Sequence, residues 1–412
     1  MKVLLHKQKT YLKKGNTDLV CVIDMNDFNY FNPTRILFGS KTETYLPKEI
    51  KKYGKKVLLH YGGGSIKKFG LYDRIIKLLT EHSIEFIELG GVKPNPVLSM
   101  VRVGIEMCKN NNIDFILAVG GGSVIDSAKA IAVGAVVEHD VQEFFKGTEV
   151  KNALPIGVVL TIPAAGSESS MFSVITNEDG MLKRGFGSEH IYPKFAILNP
   201  ENTMSLPDYQ TACGLSDMLS HVFERYFTNT SNVTLTSNLL LGAIKTVIDL
   251  GPKLMKDTSN YDLRSEVMIS GAYAHNGSLG VGREEDWATH GIEHELSGYN
   301  DVAHGAGLAV ISPAWMTYVS KVREDLFVEL FTYIFDIDST LLKQEIVVEG
   351  IEKLKEWYKS LDLPTTLTEI DVPQFEFSNL AKKCIHDIPS GELGYFKKLN
   401  KEDIIRILNL AK

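Results

Sequence analysis

In the first half of the chain, short apolar runs alternate with amphipathic segments, and this alternation limits the fold more than any other feature. The runs Lys56–Tyr61 and Phe115–Val119 each end in three glycines, and the periodicity predicts a helix over Leu98–Asn111 between them. Short continuous apolar runs separated by helices indicate a parallel sheet that is buried on both faces. The same pattern predicts further strands at Glu85–Leu89, Ile156–Thr161 and Phe195–Leu198.

The pattern changes near Pro207. Beyond this residue, 3.6-residue periodicity predicts helices, for example at Thr211–Phe227, Thr236–Ile248 and Glu345–Ser360. A chain of 412 residues is also too long for one ordinary core. We therefore predict an α/β domain over residues 25–207 and an all-helical domain over residues 208–412. Residues 1–24 are predicted to be an appendage, which a start codon placed too early would explain.

Charge, hydropathy and cysteine content exclude several classes of protein. The formal net charge of -7 disfavours a nucleic-acid partner, because polyphosphate backbones attract basic surfaces. No uninterrupted apolar run reaches the roughly 18 residues that a membrane span needs. The four cysteines lie far apart without a C-x-x-C pair, which disfavours a disulfide framework and a thiolate zinc site. A cytoplasmic protein is predicted, with neither a membrane nor nucleic acid as its partner.

The segment Val119–Lys129 has the pattern of a strand, a turn of three glycines and the start of a helix. Glycines allow the backbone to approach a phosphate group, and the helix N-terminus offers free N–H groups. Ser123 and Asp126 have the spacing of a capping box, which would set the direction of that N-terminus. Ile125 stands where G-x-G-x-x-G requires its last glycine, so the ordinary Rossmann fingerprint is missing. The segment predicts phosphate binding, with a tight turn that binds nothing as the alternative.

A second glycine cluster favours a dinucleotide as the ligand. Two sets of residues follow buried strands in the same way: Gly62, Gly63, Gly64 and Ser65, and Gly120, Gly121, Gly122 and Ser123. Ligands of such sheets lie beyond the carboxyl ends of the strands, so both turns are expected to face one ligand. No acidic residue closely follows the first strand to bind a ribose hydroxyl, whereas Lys67 and Lys68 do follow it. NADP(H) is therefore favoured, with NAD(H) as the alternative.

Carboxylate and imidazole side chains recur at helical spacing in the second half of the chain. Asp217 and His221 are four residues apart in a strongly helical stretch, so they project from one face. His290 and His294 are also four apart, and His304 follows closely. A carboxylate together with imidazoles suits Fe²⁺ or Zn²⁺. We predict a metal site here, although the pair at 217 and 221 alone would indicate only a helix with one polar contact.

A competing pattern overlaps this cluster. Residues His290 to His294 match H-x-x-E-H, in which two histidines bind zinc and Glu293 activates water for proteolysis. Five-residue patterns are common by chance, and a protease would have no use for two glycine turns shaped for phosphate. The metalloprotease is kept as an alternative hypothesis.

The residues taken together resemble the iron-containing alcohol dehydrogenase family, in its branch of butanol dehydrogenases and NADPH-dependent aldehyde reductases. The resemblance runs from about Asn26 to the C-terminus. It is carried by these segments: Phe31-Asn32-Pro33-Thr34 with Phe38-Gly39, Tyr61 to Ser65, Pro94-Asn95-Pro96, Gly120 to Ser123 with Asp126 and Lys129, Gly166-Ser167-Glu168, Asp217 with His221, and Asp286 to His290 through His304. It implies a dehydroquinate synthase-like fold, with an α/β dinucleotide-binding domain followed by an all-helical metal-binding domain.

The resemblance also implies roles for individual residues. The implied metal ligands are Asp217, His221, His290 and His304, holding Fe²⁺ or alternatively Zn²⁺. His294 is left unligated beside the metal, as a proton relay or as a group that orients a ligand. The cofactor-binding positions carried over are the two glycine turns with Asp126, Thr161, Ser170 and Lys183. Ala165 replaces a usual threonine, so one hydrogen bond to the cofactor is expected to be missing, and Asn199 in place of aspartate is expected to be structural.

The implied reaction is hydride transfer between NAD(P)H and a small, aliphatic alcohol or aldehyde such as butanol or butanal. A homodimer is also implied, with the strand in Phe31–Gly39 as its candidate interface. A dehydroquinate synthase is one alternative, but the acidic residues around His290 disfavour the phosphorylated substrate of that class. A non-catalytic dinucleotide-binding module is another, and it would leave the spacing of Asp217 and His221 unexplained.

Overall fold

The computed structural model describes residues 11–14 and 19–412. The strands are β1 (Tyr11–Lys14), β2 (Leu19–Val22), β3 (Arg35–Phe38), β4 (Lys56–Tyr61), β5 (Glu85–Leu89), β6 (Phe115–Gly120), β7 (Ile156–Leu160), β8 (Phe172–Asn177), β9 (Leu182–Gly187) and β10 (Phe195–Leu198). The helices are α1 (Leu46–Ile50), α2 (Ser65–Lys68), α3 (Leu71–Glu81), α4 (Leu98–Asn111), α5 (Gly122–Gly134), α6 (Gln142–Phe145), α7 (Asp208–Tyr226), α8 (Thr234–Lys256), α9 (Tyr261–His275), α10 (Ala288–Asn300), α11 (His304–Val319), α12 (Glu324–Phe335), α13 (Lys343–Ser360), α14 (Phe377–Cys384) and α15 (Lys401–Leu410).

A parallel sheet organises the first half of the chain. Its six strands lie in the order β3-β10-β7-β6-β4-β5, and every neighbouring pair is parallel. The apolar runs predicted as strands are strands β4, β5, β6, β7 and β10. Side chains of β6 are buried along its whole length and belong to two separate cores, one on each face of the sheet. The predicted α/β architecture is therefore confirmed.

Helices make up almost all of the second half. Helix α7 begins directly after Pro207, where the pattern of the sequence changes, and its side chains from Thr211 to Tyr226 are all buried. Because α7 is buried on all sides, it lies at the centre of the helical core and not at its surface. The predicted helical class is confirmed, while the domain limits at residues 207 and 208 stay a prediction. No helix among the described residues is both long and apolar enough to cross a membrane.

The predicted appendage lies partly outside the described residues, since residues 1–10 and 15–18 are not among them. Within it, β1 pairs with β2 in an antiparallel hairpin. Ile23 forms a parallel bridge with Thr230, and the amide of Ser231 donates to the carbonyl of Ile23 over 2.8 Å. The end of the segment thus contacts the helical half of the chain.

The hairpin β8–β9 was not predicted, and it lies between the two halves. Asp179-Gly180 in its turn is the local signal that would have indicated it, because Asp-Gly pairs favour hairpin turns. The hairpin packs on α5, where the hydroxyl of Ser173 donates to the carbonyl of Asp126 over 2.8 Å. It brings Lys183 to the opposite helices.

A buried histidine links two strands and a helix within the sheet domain. His60 of β4 is fully buried, and its Nδ1 lies 2.9 Å from the carbonyl oxygen of Leu89. Because that oxygen only accepts, Nδ1 donates and Nε2 accepts from the hydroxyl of Ser127, also over 2.9 Å. Burial lowers the pKa of His60 to about 4.

This shift predicts a loss of stability in mild acid. Below the ordinary pKa of 6.5, the unfolded chain binds a proton at His60, whereas the folded chain does not bind it until about pH 4. The stability of the folded state therefore falls as pH falls from 6.5 to about 4. We expect His60 to contribute roughly 2 kcal/mol of the stability lost between pH 7 and pH 5. The measurement is urea unfolding of wild type and His60→Gln at both values. An equal response of the two proteins would contradict the burial argument.

Candidate metal and dinucleotide site

One cavity of about 700 Å³ lies where the carboxyl ends of the strands face the helices. Nearly all of the site residues expected from the sequence line it; Gly64 is the exception. The lining residues in question are Gly62, Gly63, Ser65, Gly120, Gly121, Gly122, Ser123, Asp126, Thr161, Ser170, Lys183, Asp217, His221, His290, His294 and His304. The two glycine turns and the imidazole cluster, which are far apart in the sequence, therefore share one space.

The capping box predicted at Ser123 and Asp126 is wrong. Helix α5 begins at Gly122, so Gly121 is its N-cap residue, and no side chain caps this end. Asp126 instead accepts from the hydroxyl of Ser167 over 2.5 Å and from the amide of Val174 over 2.9 Å. Its carboxylate ties the helix to the hairpin. The first N–H groups of α5 are consequently left without a side-chain cap at the cavity wall.

Packing around the glycine turn leaves no room for a side chain at two of its positions. A Cβ atom placed on Gly120 would lie 2.4 Å from Cγ2 of Val124, and one on Gly121 would lie 2.9 Å from Cβ of Ile162. Any larger residue would have to displace these side chains. With the uncapped start of α5, the turn has the features of an anion-binding site for a diphosphate.

A fully buried lysine holds the loop that borders the turn. Nζ of Lys129 donates to the carbonyl oxygens of Ser167, Ser170 and Phe172 over 2.8, 3.0 and 2.8 Å. Burial lowers the pKa of Lys129 to about 8, although the carboxylates of Asp126 and Glu168 oppose this shift. The lysine therefore fixes three carbonyls of a loop that carries the cavity residue Ser170.

The two lysines after the first glycine cluster lie in different environments. Nζ of Lys67 stands over the rings of Tyr61 and Tyr72, at 5.2 and 4.6 Å from their centres. Lys68 instead lines a second cavity of about 1150 Å³ together with Arg74. This second cavity shares Ser65, Ile66, Thr161, Ile162 and Gln210 with the first, so the two adjoin.

Three of the four expected metal ligands converge. The ligand atoms of Asp217, His290 and His304 all lie within 4.8 Å of one another. Oδ1 of Asp217 is 4.0 Å from Nε2 of His290 and 3.7 Å from Nε2 of His304. Helices α7, α10 and α11 each supply one of these side chains.

His221 contacts the group in a different way. Its Nδ1 lies 3.0 Å from the same Oδ1 of Asp217 and donates to the carbonyl oxygen of Asp217 over 2.9 Å. Its ring packs against the rings of His275 and His290, with centres 4.4 and 4.6 Å apart. His221 thus contacts the carboxylate of Asp217, but it is not among the three residues whose ligand atoms lie within 4.8 Å of one another.

The charge states of the group suit cation binding. Burial alone would raise the pKa of Asp217, but His221, His304 and His290 outweigh it and lower the pKa to about 2. Burial and the neighbouring His221 lower the pKa of His290 well below its ordinary value. The arrangement therefore favours an ionised carboxylate beside a neutral imidazole, which are the forms that bind a divalent metal.

Two buried atoms of this group lack a hydrogen-bond partner among the described residues. They are Oδ1 of Asp217 and Nε2 of His290. Unpaired buried polar atoms are costly, so such a pair calls for a ligand. A carboxylate oxygen and imidazole nitrogens are a donor set that fits Fe²⁺ or Zn²⁺.

Two glutamates at the site were missed as partners of the imidazoles. Glu224 accepts from Nδ1 of His290 over 2.8 Å, and Glu293 is hydrogen-bonded to Nδ1 of His304. Glu224 is seven residues after Asp217, and Glu293 is three after His290. These helical spacings could have indicated both glutamates, because they place Glu224 on the same helix face as Asp217 and Glu293 on the same helix face as His290.

The position of Glu293 contradicts the zinc-protease interpretation. Its carboxylate contacts His304 and Ser297, and it lies 3.6 Å from Nζ of Lys183. A base engaged in this way is not free to activate water. The rings of His290 and His294 also lie 6.4 Å apart at their centres and do not share a ligand group.

The two departures from the family pattern lie in different places. Ala165 lines the main cavity, facing Gly122. Asn199 is buried, donates to the carboxylate of Glu43 over 3.0 Å and accepts from the amide of Glu201 over 3.1 Å. Asn199 thus connects neighbouring segments, but it also lines the second cavity, so its purely structural role stays a prediction.

Comparison with known proteins agrees with this geometry. Residues 33–200 match the family described as iron-containing alcohol dehydrogenase, and residues 211–411 match the C-terminal part of the Fe-containing alcohol dehydrogenase family. The chain is 44% identical over 389 residues to probable NADH-dependent butanol dehydrogenase 1 of Bacillus subtilis, covering 94% of this chain and 100% of that protein. It is 34% identical to the NADPH-dependent aldehyde reductase YqhD of Escherichia coli, covering 87% of this chain and 93% of that protein.

Solved structures show the same fold. The crystal structure of NADH-dependent butanol dehydrogenase A from Thermotoga maritima superposes with a TM-score of 0.91 at 39% identity, covering 94% of this chain and 99% of that one. The match decides against the metalloprotease, dehydroquinate synthase and non-catalytic alternatives, because it is to a different class of enzyme. The chain therefore belongs to the iron-containing alcohol dehydrogenase family, in its branch of butanol dehydrogenases and NADPH-dependent aldehyde reductases, and is an NAD(P)-dependent oxidoreductase.

Proposed function

We propose that the protein interconverts a small aliphatic aldehyde, such as butanal, and its alcohol, with a nicotinamide dinucleotide as the hydride donor or acceptor. The single observation that carries this proposal is the shared cavity, in which two phosphate-type glycine turns and a carboxylate–imidazole cluster face one another. The names of the similar proteins, which include butanol dehydrogenases and an aldehyde reductase, point to the same substrates.

Asp217, His221, His290 and His304 would hold the metal, which we propose to be Fe²⁺, with Zn²⁺ as the alternative. A bound divalent cation supplies a Lewis acid that polarises a carbonyl oxygen. The chain's own task is to bring the reacting carbon to the nicotinamide, and its two glycine turns hold the dinucleotide for that purpose. Thr161, Ser170 and Lys183 line the same cavity as the turns and the metal group.

NADP(H) is the dinucleotide that we propose. Four cationic side chains, among them Lys68 and Arg74, line the cavity that adjoins the first glycine turn at Ser65, against three acidic ones. A 2′-phosphate is best bound by such cations. Among the similar proteins, the butanol dehydrogenases at 44% and 38% identity are named NADH-dependent and the aldehyde reductase at 34% identity is named NADPH-dependent, so the proposal rests on the cationic side chains and not on the names.

His294 is proposed as the proton relay. It lines the cavity, and its ring centre lies 5.6 Å from that of His304. It is also partly exposed, which allows an exchange of protons with solvent. A group that only orients a ligand would change metal content when replaced, whereas a relay would change the rate.

A cytoplasmic homodimer is proposed as the functional form. Strand β3 is an edge of the sheet, and Phe31, Ile36 and Phe38 on or near it are exposed apolar side chains. An uncovered apolar edge strand is a site for pairing with another chain. Sedimentation of the purified protein at twice the monomer mass would support this; a monomer would contradict it.

One set of assays tests the proposal. Protein loaded with Fe²⁺ or Zn²⁺ is expected to oxidise NADPH when butanal is added, with a higher kcat/KM for NADPH than for NADH. Chelation of the metal should abolish turnover, and adding the metal back should restore it. His294→Gln should lower kcat by about 100-fold or more at unchanged metal content. Turnover that survives complete metal removal would refute the metal-dependent mechanism.

A further inference from the structure

We propose that Glu224 is the positioning residue that presents His290 to the metal. The inference rests on the proposed function, since it concerns the same metal site. Glu224 lies on α7 with Asp217 and His221, at spacings of seven and three residues, so the three side chains share one helix face. Asp217 and Glu224 are only 5% and 3% exposed. Asp217 would bind the cation directly, and Glu224 would hold His290, which is another ligand of that cation.

The hydrogen bonds of Glu224 define its action on His290. Its Oε1 accepts from Nδ1 of His290 over 2.8 Å, from the amide of His290 over 3.0 Å and from the hydroxyl of Thr289 over 2.5 Å. Because Nδ1 donates, it carries the proton of the neutral ring, and the lone pair is on Nε2. That Nε2 is buried and 4.0 Å from Oδ1 of Asp217. Glu224 therefore selects the tautomer that can bind a metal at this centre.

Of the two glutamates at the site, Glu224 is the one whose ionisable partner is a single imidazole. Glu293 contacts His304, but it is shared with Lys183, whose Nζ lies 3.6 Å away. Among the described residues, the carboxylate of Glu224 forms an ion pair with His290 and with no other side chain. The carbonyl of Glu224 additionally accepts from the amide of Asp286 over 2.8 Å, which fixes the segment entering α10. The side chain and the backbone of Glu224 together therefore fix the position of His290.

Removal of this carboxylate is expected to weaken metal binding without removing any ligand. The ring of His290 would lose the acceptor that fixes its rotation and its tautomer. Loss of such a hydrogen bond to a metal-binding histidine weakens metal affinity by about 10- to 100-fold. Glu224→Gln keeps an oxygen that can accept from Nδ1, so its loss should be smaller than that of Glu224→Ala.

The test measures affinity for Co²⁺ and Zn²⁺ by competition with a chelator, on the full-length protein and without an activity assay. We expect Glu224→Ala to bind both ions about 10- to 100-fold more weakly than wild type, with an altered Co²⁺ absorption spectrum, and Glu224→Gln to fall between the two. Thermal unfolding of the metal-free proteins monitors the fold.

Glu49→Ala is the matched control. Glu49 is an equally buried glutamate in the sheet half of the chain, but its carboxylate pairs with Lys52 and Arg35 instead of with an imidazole. Its metal affinity should stay within about 3-fold of wild type, by the same reasoning. Equal affinity of Glu224→Ala and wild type would overturn this inference but not the proposed function, and so would an equal loss of affinity in Glu49→Ala. Failure of wild type itself to bind either ion would instead overturn the proposed function.

Discussion

Replacement of His290 by alanine should lower kcat/KM for aldehyde reduction at least about 1,000-fold. Polarisation of the carbonyl by a Lewis acid is worth several kcal/mol, and each 1.36 kcal/mol corresponds to a factor of ten in rate. His290 is central to the metal group, because its Nε2 lies 4.0 Å from Oδ1 of Asp217 and is unpartnered in the described structure. Steady-state kinetics of the metal-loaded proteins measures the effect.

The same substitution should leave dinucleotide binding within about 3-fold of wild type. The glycine turns and α5 belong to the sheet half of the chain, whereas His290 belongs to α10. Fluorescence titration with NADPH measures this binding separately from catalysis. His82→Ala, at an exposed histidine just after α3, is the control and should keep full activity. If His290→Ala kept its turnover, the site would be organised differently. The same would follow if this variant lost NADPH binding as well as turnover.

Replacement of Lys129 by methionine should destabilise the folded protein by about 3–5 kcal/mol. The lysine is fully buried, and its Nζ satisfies the carbonyl oxygens of Ser167, Ser170 and Phe172. Methionine fills a similar volume but leaves these acceptors unpaired, and it removes the cation that offsets the charge of Asp126. Each buried acceptor left unpaired costs about 1–3 kcal/mol, so the loss of three such bonds accounts for an effect of this size.

Urea unfolding, read as the fall in the midpoint, measures this loss. Lys77→Met is the control, because the side chain of Lys77 is 73% exposed and its ion pair with Glu81 spans 3.8 Å. An exposed pair of this kind contributes at most about 1 kcal/mol. Dinucleotide affinity should fall as well in Lys129→Met, because the loop that it releases carries Ser170 into the cavity. A stability equal to that of the control would mean that the loop is held by other contacts.

The parallel sheet and the helical half were predictable because their signals are local. A strand buried on both faces has to be apolar along its length, and β4, β5 and β10 begin and end where the runs at Lys56–Tyr61, Glu85–Leu89 and Phe195–Leu198 do. The predicted helix over Leu98–Asn111 is likewise α4. Helix ends were less accurate: α8 runs from Thr234 to Lys256, well beyond the predicted Thr236–Ile248, because tertiary packing continues the helix past its most periodic part.

The hairpin and the contacts of Asp126 were not predictable in this way. Strands β8 and β9 are only partly buried, so their apolar pattern is weak, and the Asp179-Gly180 turn was their main signal. Asp126 has the spacing of a capping residue, but Ser167 and Val174, about 40 residues later in the chain, take its carboxylate. A local rule fails where a distant partner offers a stronger bond.

By itself, the sequence determined which residue types stand at the ends of strands and on helix faces. It therefore predicted a glycine turn at Gly120–Ser123 and a carboxylate–imidazole pair at 217 and 221. Only the tertiary structure decided that these features meet in one cavity, which nitrogen of His290 faces Asp217, and that Glu224 holds the other. The reason is physical. Spacing along a helix fixes a direction, whereas the partner found in that direction depends on how separate helices pack.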